Sequence, residues 1–163
     1  MAMRADWNDV ADQWVDAGPF RAQLRYLMAS GSLSVDDVAA VAGISARLAD
    51  RLLRGRNGRP VRRISPETAR RLIQVSDQHV QALRRIMVPA APARVQLARL
   101  RRAGWEDPAI AERVRVAAPE LVELASGADT CSLLLTVRLT AAARAEDSVR
   151  YRRQLSSVME HAA

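Results

Sequence analysis

An all-α chain of two related helical modules is the predicted fold, and three observations predict it. Apolar residues recur at helical spacing along the chain, with no alternation long enough for a strand. The chain aligns on itself at an offset of 73 residues. Its 163 residues, 49% hydrophobic but only 4% aromatic, suit one ordinary domain or two small ones with modest aliphatic cores, which argues against a large enzyme.

In chain order, Trp7, Val10, Ala11, Trp14 and Val15 line one face of a first amphipathic helix over residues 1–18. Asp6, Asp9, Asp12 and Asp16 take the other face, and Gly18-Pro19 is its stop. Helices are then expected near 20–30, 34–42, 45–54, 65–75 and 76–88. Ser65-Pro66-Glu67 supplies a hydroxyl cap, a proline whose missing N–H costs nothing in the first turn, and an acid near the positive end. Ser76-Asp77 offers a second such start. Val88-Pro89-Ala90-Ala91-Pro92 reads as a short, stiff linker, because each proline removes a donor and biases the residue before it away from helix. Further helices are expected near 93–103, 107–114, 118–126 and from 130 onward, the last interrupted at Glu146 to Ser148. The resulting division is 1–18, 19–88 and 89–163.

The self-alignment places PFRAQLRYLMASG (19–31) over PARVQLARLRRAG (92–104) with six of thirteen positions identical. The pairs are Pro19/Pro92, Arg21/Arg94, Gln23/Gln96, Leu24/Leu97, Leu27/Leu100 and Gly31/Gly104. After a one-residue gap, Val38/Ile110, Ala39/Ala111, Ile44/Val116, Leu52/Leu124 and Gly55/Gly127 fall into register. Shared apolar periodicity alone explains the leucines but not the proline, glutamine and glycine matches.

Within each module the segment after the first helix carries a helix-turn-helix pattern. In VDDVAAVAGISARLADRLLRG (35–55), Val38, Ala42, Ile44, Ala49 and Leu52 face inward, Ala39 permits close crossing, and Gly43 supplies the turn. Ser45, Ala46, Arg47, Asp50, Arg51 and Arg54 then project outward from the second helix, whose N-terminal part enters the major groove of DNA in this motif. Arg47 and Arg51 are long enough to reach base edges, or equally to touch phosphate; Ser45, Ala46 and Asp50 complete the candidate base-reading set.

Charge distribution supports a polyanionic partner. All 25 basic residues are arginine, against 18 acids, for a net +7. Residues 1–20 carry one arginine and four aspartates, whereas residues 21–102 carry 17 arginines against five acids, net +12, and the rest seven against nine. Codon bias alone would spread arginine evenly. The densest run is RGRNGRPVRRI (54–64), where Gly55, Gly58 and Pro60 exclude a regular helix. As a flexible basic loop, its Arg54, Arg56, Asn57, Arg59, Arg62 and Arg63 would lie along the phosphate backbone or enter a narrow minor groove.

The second module keeps the inward template at Ile110, Ala111, Val114, Val116, Leu121 and Leu124, but its outward positions include Ala117, Ala118, Pro119, Val122, Glu123 and Ser126, and Arg115 replaces the turn glycine. Candidate DNA contacts there are Arg99, Arg101, Arg102, Arg115, Glu123, Ser126, Arg150, Arg152 and Arg153, with Glu123 as an acceptor for a cytosine amino group. Tyr151 would pack on a sugar or cover the core.

The stretch from PFRAQLRYLMASGSLS through LLRGRNGRPVRRISPETARRL, covering residues 19–75, resembles the DNA-binding region of actinobacterial phage repressors, in particular the immunity repressors of temperate mycobacteriophages. Similar segments occur in chromosomal actinobacterial regulators. The resemblance implies a repressor that silences an early lytic promoter and also occupies dispersed copies of its site, the stoperators, obstructing RNA polymerase. It places the reading helix at Ser45 through Arg54 and the basic loop at Arg56 through Arg63. Double-stranded DNA is therefore the expected partner, bound by one protomer on an asymmetric site, in the bacterial cytoplasm and associated with the nucleoid.

Other classes are disfavoured. Cys131 is the only cysteine, which excludes an internal disulfide and a cysteine-rich zinc site. His79 and His161 are isolated, and no phosphate-cradling glycine motif or carboxylate pair stands out, so no enzyme, cofactor or metal is expected. Neither a signal peptide nor a membrane helix is expected; the longest apolar stretch, Leu133 to Val137, is far short of the ~20 residues a span needs. The remaining alternative is a helical adaptor for an acidic partner, supported by the acidic N-terminal segment with Trp7 and Trp14; packing of those tryptophans onto the first module competes with it.

Overall fold

Capping chemistry sets most of the helix starts. The computed structural model describes residues 14–161, of which most are helical. The chain divides into two units, Met1–His79 and Val80–Ala163.

In the first unit, strand β1 (Val15–Asp16) leads into α1 (Gly18–Ser30). The expected first helix falls mostly outside the described residues, and its end is not helical. Val15 and Asp16 pair antiparallel with Ile64 and Arg63 of β2 (Arg63–Ile64), and the Ala17 N–H donates to the Arg62 carbonyl at 2.9 Å. Asp16 Oδ1 accepts from the Gly18 N–H at 3.0 Å, which turns the chain so that Gly18-Pro19 opens a helix rather than stopping one. Trp14 is 62% exposed, so it is not part of the core, and Trp7 lies outside the described residues.

Helix α2 (Val35–Ala42) begins with a reciprocal cap: Ser34 Oγ accepts from the Asp37 N–H, and Asp37 Oδ2 accepts from the Ser34 N–H. Gly43 ends it at φ 67°, in the left-handed region that glycine tolerates best. After two residues comes α3 (Ala46–Arg54), capped by Ser45, whose Oγ accepts from the Leu48 N–H at 3.1 Å. Beyond β2, Ser65 caps α4 (Pro66–Ile73) as its sequence predicts, and Ser76 Oγ accepts from His79 N at the start of α5 (Asp77–Arg85), the helix within which the first unit ends and the second begins. Helix α1 packs on α2, α3 and α4, burying Leu24, Leu27, Val38, Ala49, Leu52 and Leu72. Each of these leucines and the valine contributes on the order of 1.5–3 kcal/mol on removal from water.

The second unit repeats the order. Strand β3 (Met87–Pro89), helices α6 (Ala91–Arg102), α7 (Asp107–Val114) and α8 (Ala118–Ala125), and strand β4 (Thr130–Ser132) precede the long α9 (Leu133–His161). The Val88-to-Pro92 segment is therefore not a linker. Its first residues pair with β4 in the register Met87↔Ser132, Val88↔Cys131 and Pro89↔Thr130, and Pro92 sits in the first turn of α6. Nor is α9 interrupted at Glu146 to Ser148: Ser148 Oγ bonds back to the Arg144 carbonyl, and Glu146 anchors Trp105 and Arg150. The core gathers Leu97, Leu100, Ile110, Leu121, Leu124 and Leu139.

Repeat pairs occupy matching places. Leu24/Leu97, Leu27/Leu100, Val38/Ile110 and Leu52/Leu124 are all buried, and Pro19/Pro92 both sit in a first helical turn. Ala17 and Ala90, just before the first helix of each unit, donate to Arg62 and Asp129 respectively, both at 2.9 Å. These paired strands lay below the reach of periodicity, because two or three residues show no alternation. No helix among the described residues is long and apolar enough to cross a membrane.

Candidate nucleic-acid interface

The outward face of α3 is built by subtraction: Ala49 and Leu52 are fully buried, which leaves Ser45, Ala46, Arg47 and Arg51 exposed on the other side. Ser45 spends its hydroxyl on the cap, so its position at the helix entrance is set by the backbone. Asp50 takes the Arg54 Nε at 2.8 Å, an exposed i,i+4 pair that neutralises both. Arg54 is thereby set apart from the unpaired arginines of this face.

Immediately after α3, residues 55–59 form a tight hairpin rather than a flexible loop. The Arg56 N–H donates to the Arg59 carbonyl at 2.8 Å and the Arg59 N–H returns to Arg56 at 3.0 Å. Between them Asn57 and Gly58 have φ of 52° and 74°, the positive pair that a two-residue hairpin turn of the primed type requires. Gly55 is obligatory: at φ 81°, an added Cβ would lie 2.3 Å from the Arg59 carbonyl oxygen. The Asn57-Gly58 dipeptide is the sequence signal for this turn, hidden by the surrounding arginines.

Two arginines that sequence reasoning did not assign to the site hold it together. Arg21 on α1 donates from Nε to the Leu52 carbonyl at 2.8 Å and from Nη2 to the Val61 carbonyl at 2.6 Å, pinning the end of α3 to the returning leg of the hairpin. Its repeat partner Arg94 donates to the Ala128 carbonyl, so the identity at 21/94 marks a structural staple. Arg71 donates to the Gly43 carbonyl in the α2–α3 turn, while its Nε and Arg70 engage Glu67. The hydrogen bond from Arg71, chiefly, holds the Glu67 carboxyl below its ordinary range.

No ion pair reaches Arg47, Arg51, Arg56, Arg59, Arg62 or Arg63 among the described residues, and all six are exposed. Arg47 and Arg51 on the helix face, Arg56 and Arg59 in the hairpin and Arg62 and Arg63 at the entry to β2 are six exposed cations without an ion pair, a local charge excess suited to phosphates.

The corresponding face of the second unit differs. Ala118, Pro119, Val122, Glu123 and Ser126 are exposed around α8, Ser126 Oγ donates to its own Val122 carbonyl, and no side chain caps the helix. Arg115 takes the left-handed turn position at φ 53°, with its carbonyl accepting from buried Arg138. Most arginines expected as contacts are engaged inside the unit. Arg101 grips Asp107 through two bonds of 2.8 and 2.7 Å, which pulls the Asp107 carboxyl down. Arg99 pairs with Asp147, and Arg150 holds Glu146 and the Ala103 carbonyl. Glu146 is lowered first by the Arg150 hydrogen bond, with help from Trp105 and Arg153. Arg152 bonds to the Ser148 carbonyl at 3.3 Å, and Arg102 stays exposed. Tyr151 is 63% exposed and does not cover the core.

Cys131 is buried in β4 with its Sγ 3.4 Å from Thr136 Oγ1, and His79 is exposed on α5. Among the described residues no group of three or more His, Cys, Asp or Glu is placed to hold a metal ion. No protein-family model, curated protein or solved structure matches the chain.

Proposed function

We propose that the protein is a sequence-specific double-stranded DNA-binding repressor made of two tandem helix-turn-helix modules, of the kind its first module resembles, the phage immunity repressors. The observation that carries the reading is the set of unpaired arginines shared by α3 and the hairpin behind it. In this reading the N-terminal half of α3 lies in the major groove, where Arg47 and Arg51 read bases and a bidentate arginine–guanine contact is the natural choice. Arg62 and Arg63 anchor the backbone through counterion release.

The two modules are direct repeats with different outward chemistry, so one protomer would occupy an asymmetric site without a palindrome. Tethering raises the effective concentration of the second module once the first has bound. Repression would be steric: a bound protomer covers a promoter or stands in the path of RNA polymerase. A chromosomal regulator would use the same face in the same way.

Selection of bound fragments from a random duplex library, followed by footprinting, tests the proposal. The expected product is one asymmetric sequence protected by one protomer, with contacts centred about 10 base pairs apart where both modules lie on one DNA face. An inverted repeat covered by a symmetric dimer overturns the one-protomer model, and failure to enrich any sequence overturns sequence-specific binding.

A further inference from the structure

We infer that Arg56 and Arg59 form a minor-groove reader that selects A·T base pairs flanking the major-groove site, on the side of the α3 C-terminus. The inference rests on the DNA-binding reading above and resolves what the basic hairpin does there. Because the two residues exchange both backbone hydrogen bonds, their Cα atoms lie about 5.5 Å apart and their side chains leave the same face of the ribbon. Two arginine side chains thus start from neighbouring points on one face of the ribbon, with no acid paired to either among the described residues. Such a like-charge pair is relieved where negative potential is concentrated, and a narrow A·T minor groove concentrates it more than an open phosphate backbone does.

The placement of the hairpin agrees. Helix α3 has nine residues and a length of about 13 Å, against a major-groove width of about 12 Å. With its N-terminal turn at the base edges, its C-terminal end meets the phosphate wall, and the next surface beyond that wall is the minor groove. Gly55 turns the chain sharply at this point, and Arg21 fixes both the end of α3 and the returning leg at Val61. The tip is slender: an added side-chain carbon on Gly58 would meet nothing within 4 Å. A pre-formed hairpin loses little conformational entropy on insertion, unlike a flexible loop.

The test uses the full-length chain and three versions of its selected site, with the flank as A·T, as G·C, or as inosine·C. Inosine·C presents a G·C-like major groove but lacks the amino group in the minor groove, so it separates the two grooves. The wild type should bind the A·T and inosine·C flanks alike and the G·C flank about tenfold more weakly. The double variant Arg56→Ala/Arg59→Ala should lose that discrimination to within about twofold while still telling the core site from a scrambled one. The Arg56→Lys/Arg59→Lys variant keeps the charge and should also lose most of the flank preference, because the more strongly hydrated ammonium gives up its water less readily. Unchanged circular dichroism and Tm confirm that each variant is folded. Equal wild-type affinity for the A·T and G·C flanks, inosine·C behaving as G·C, or full discrimination surviving in the double alanine variant each overturn the inference and leave core binding intact. Absence of any preference for the core site overturns the DNA-reading proposal itself.

Discussion

Helix α3 and helix α8 hold the same place in their two units and bury apolar residues at matching positions, Ala49 and Leu52 against Leu121 and Leu124, yet they show opposite chemistry to solvent. Leu52 and Leu124 are both buried, whereas Arg47 and Arg51 on one correspond to an exposed surface of Pro119, Val122 and Glu123 on the other. The arginines differ in a second way. Arg47 and Arg51 on α3 and Arg56 and Arg59 on the hairpin have no acid partner among the described residues, while Arg99, Arg101 and Arg150 of the second unit are tied to Asp147, Asp107 and Glu146. Counting arginines therefore overstates the second unit as a polyanion surface. An arginine in an ion pair must lose that partner before it gains a phosphate.

The largest effect expected from this contrast is on specific binding. Arg47→Ala and Arg51→Ala should each cost about 1–3 kcal/mol at the selected site and change base preference, while Glu123→Ala changes affinity by less than about twofold. Band-shift titrations on cognate and point-mutated duplexes measure both, and equal losses from the two helices would erase the distinction.

Next comes stability. Gly55→Ala should destabilise by more than about 2 kcal/mol, since its Cβ collides with backbone at 2.3 Å. Gly127→Ala has positive φ but open space around it, and should cost only about 1 kcal/mol of backbone strain. Urea unfolding of the two variants compares them directly.

Smaller still is the electrostatic anchoring. Arg62→Ala should reduce the slope of log K against log salt by about one unit on cognate and random DNA alike, whereas Arg101→Ala leaves the slope unchanged because that guanidinium is held by Asp107. A reduced slope in Arg101→Ala would place the second unit's arginines on phosphate after all.

The least effect is the acid dependence of the second unit's ion pairs. Asp107 and Glu146 have lowered folded pKa values, so their contribution is complete above the ordinary carboxylate range and is lost as pH falls through the lowered values. Asp107→Asn should flatten part of that acid limb in pH-dependent denaturation, with no change near neutrality in the pH slope. High salt should shrink the difference, because both partners are about 40% exposed.

Much of this was legible in residues. The caps at Ser65 and Ser76, the turn at Gly43, and the repeated leucines all have local causes, and the helices they define are present. The exposed arginines of α3 followed from which neighbours had to be buried. Missed were the short β1–β2 and β3–β4 pairings, the hairpin at Asn57-Gly58, and the continuity of α9 through Glu146. Each depends on a partner distant in sequence or on geometry that a composition-based reading of an arginine-rich segment obscures.

By itself the sequence determined the helical class, the duplication and the segregation of charge, because periodicity, capping and net charge are local or additive properties of the chain. Tertiary structure alone decided which arginines remain available. Arg21, Arg71 and Arg101 look no different in the sequence from Arg47, Arg51 and Arg59, yet folding brings carbonyls or carboxylates against the first three and leaves the last three facing water. The physical reason is that a guanidinium's partner is chosen by proximity in space, across 31 residues for Arg21 and 28 for Arg71.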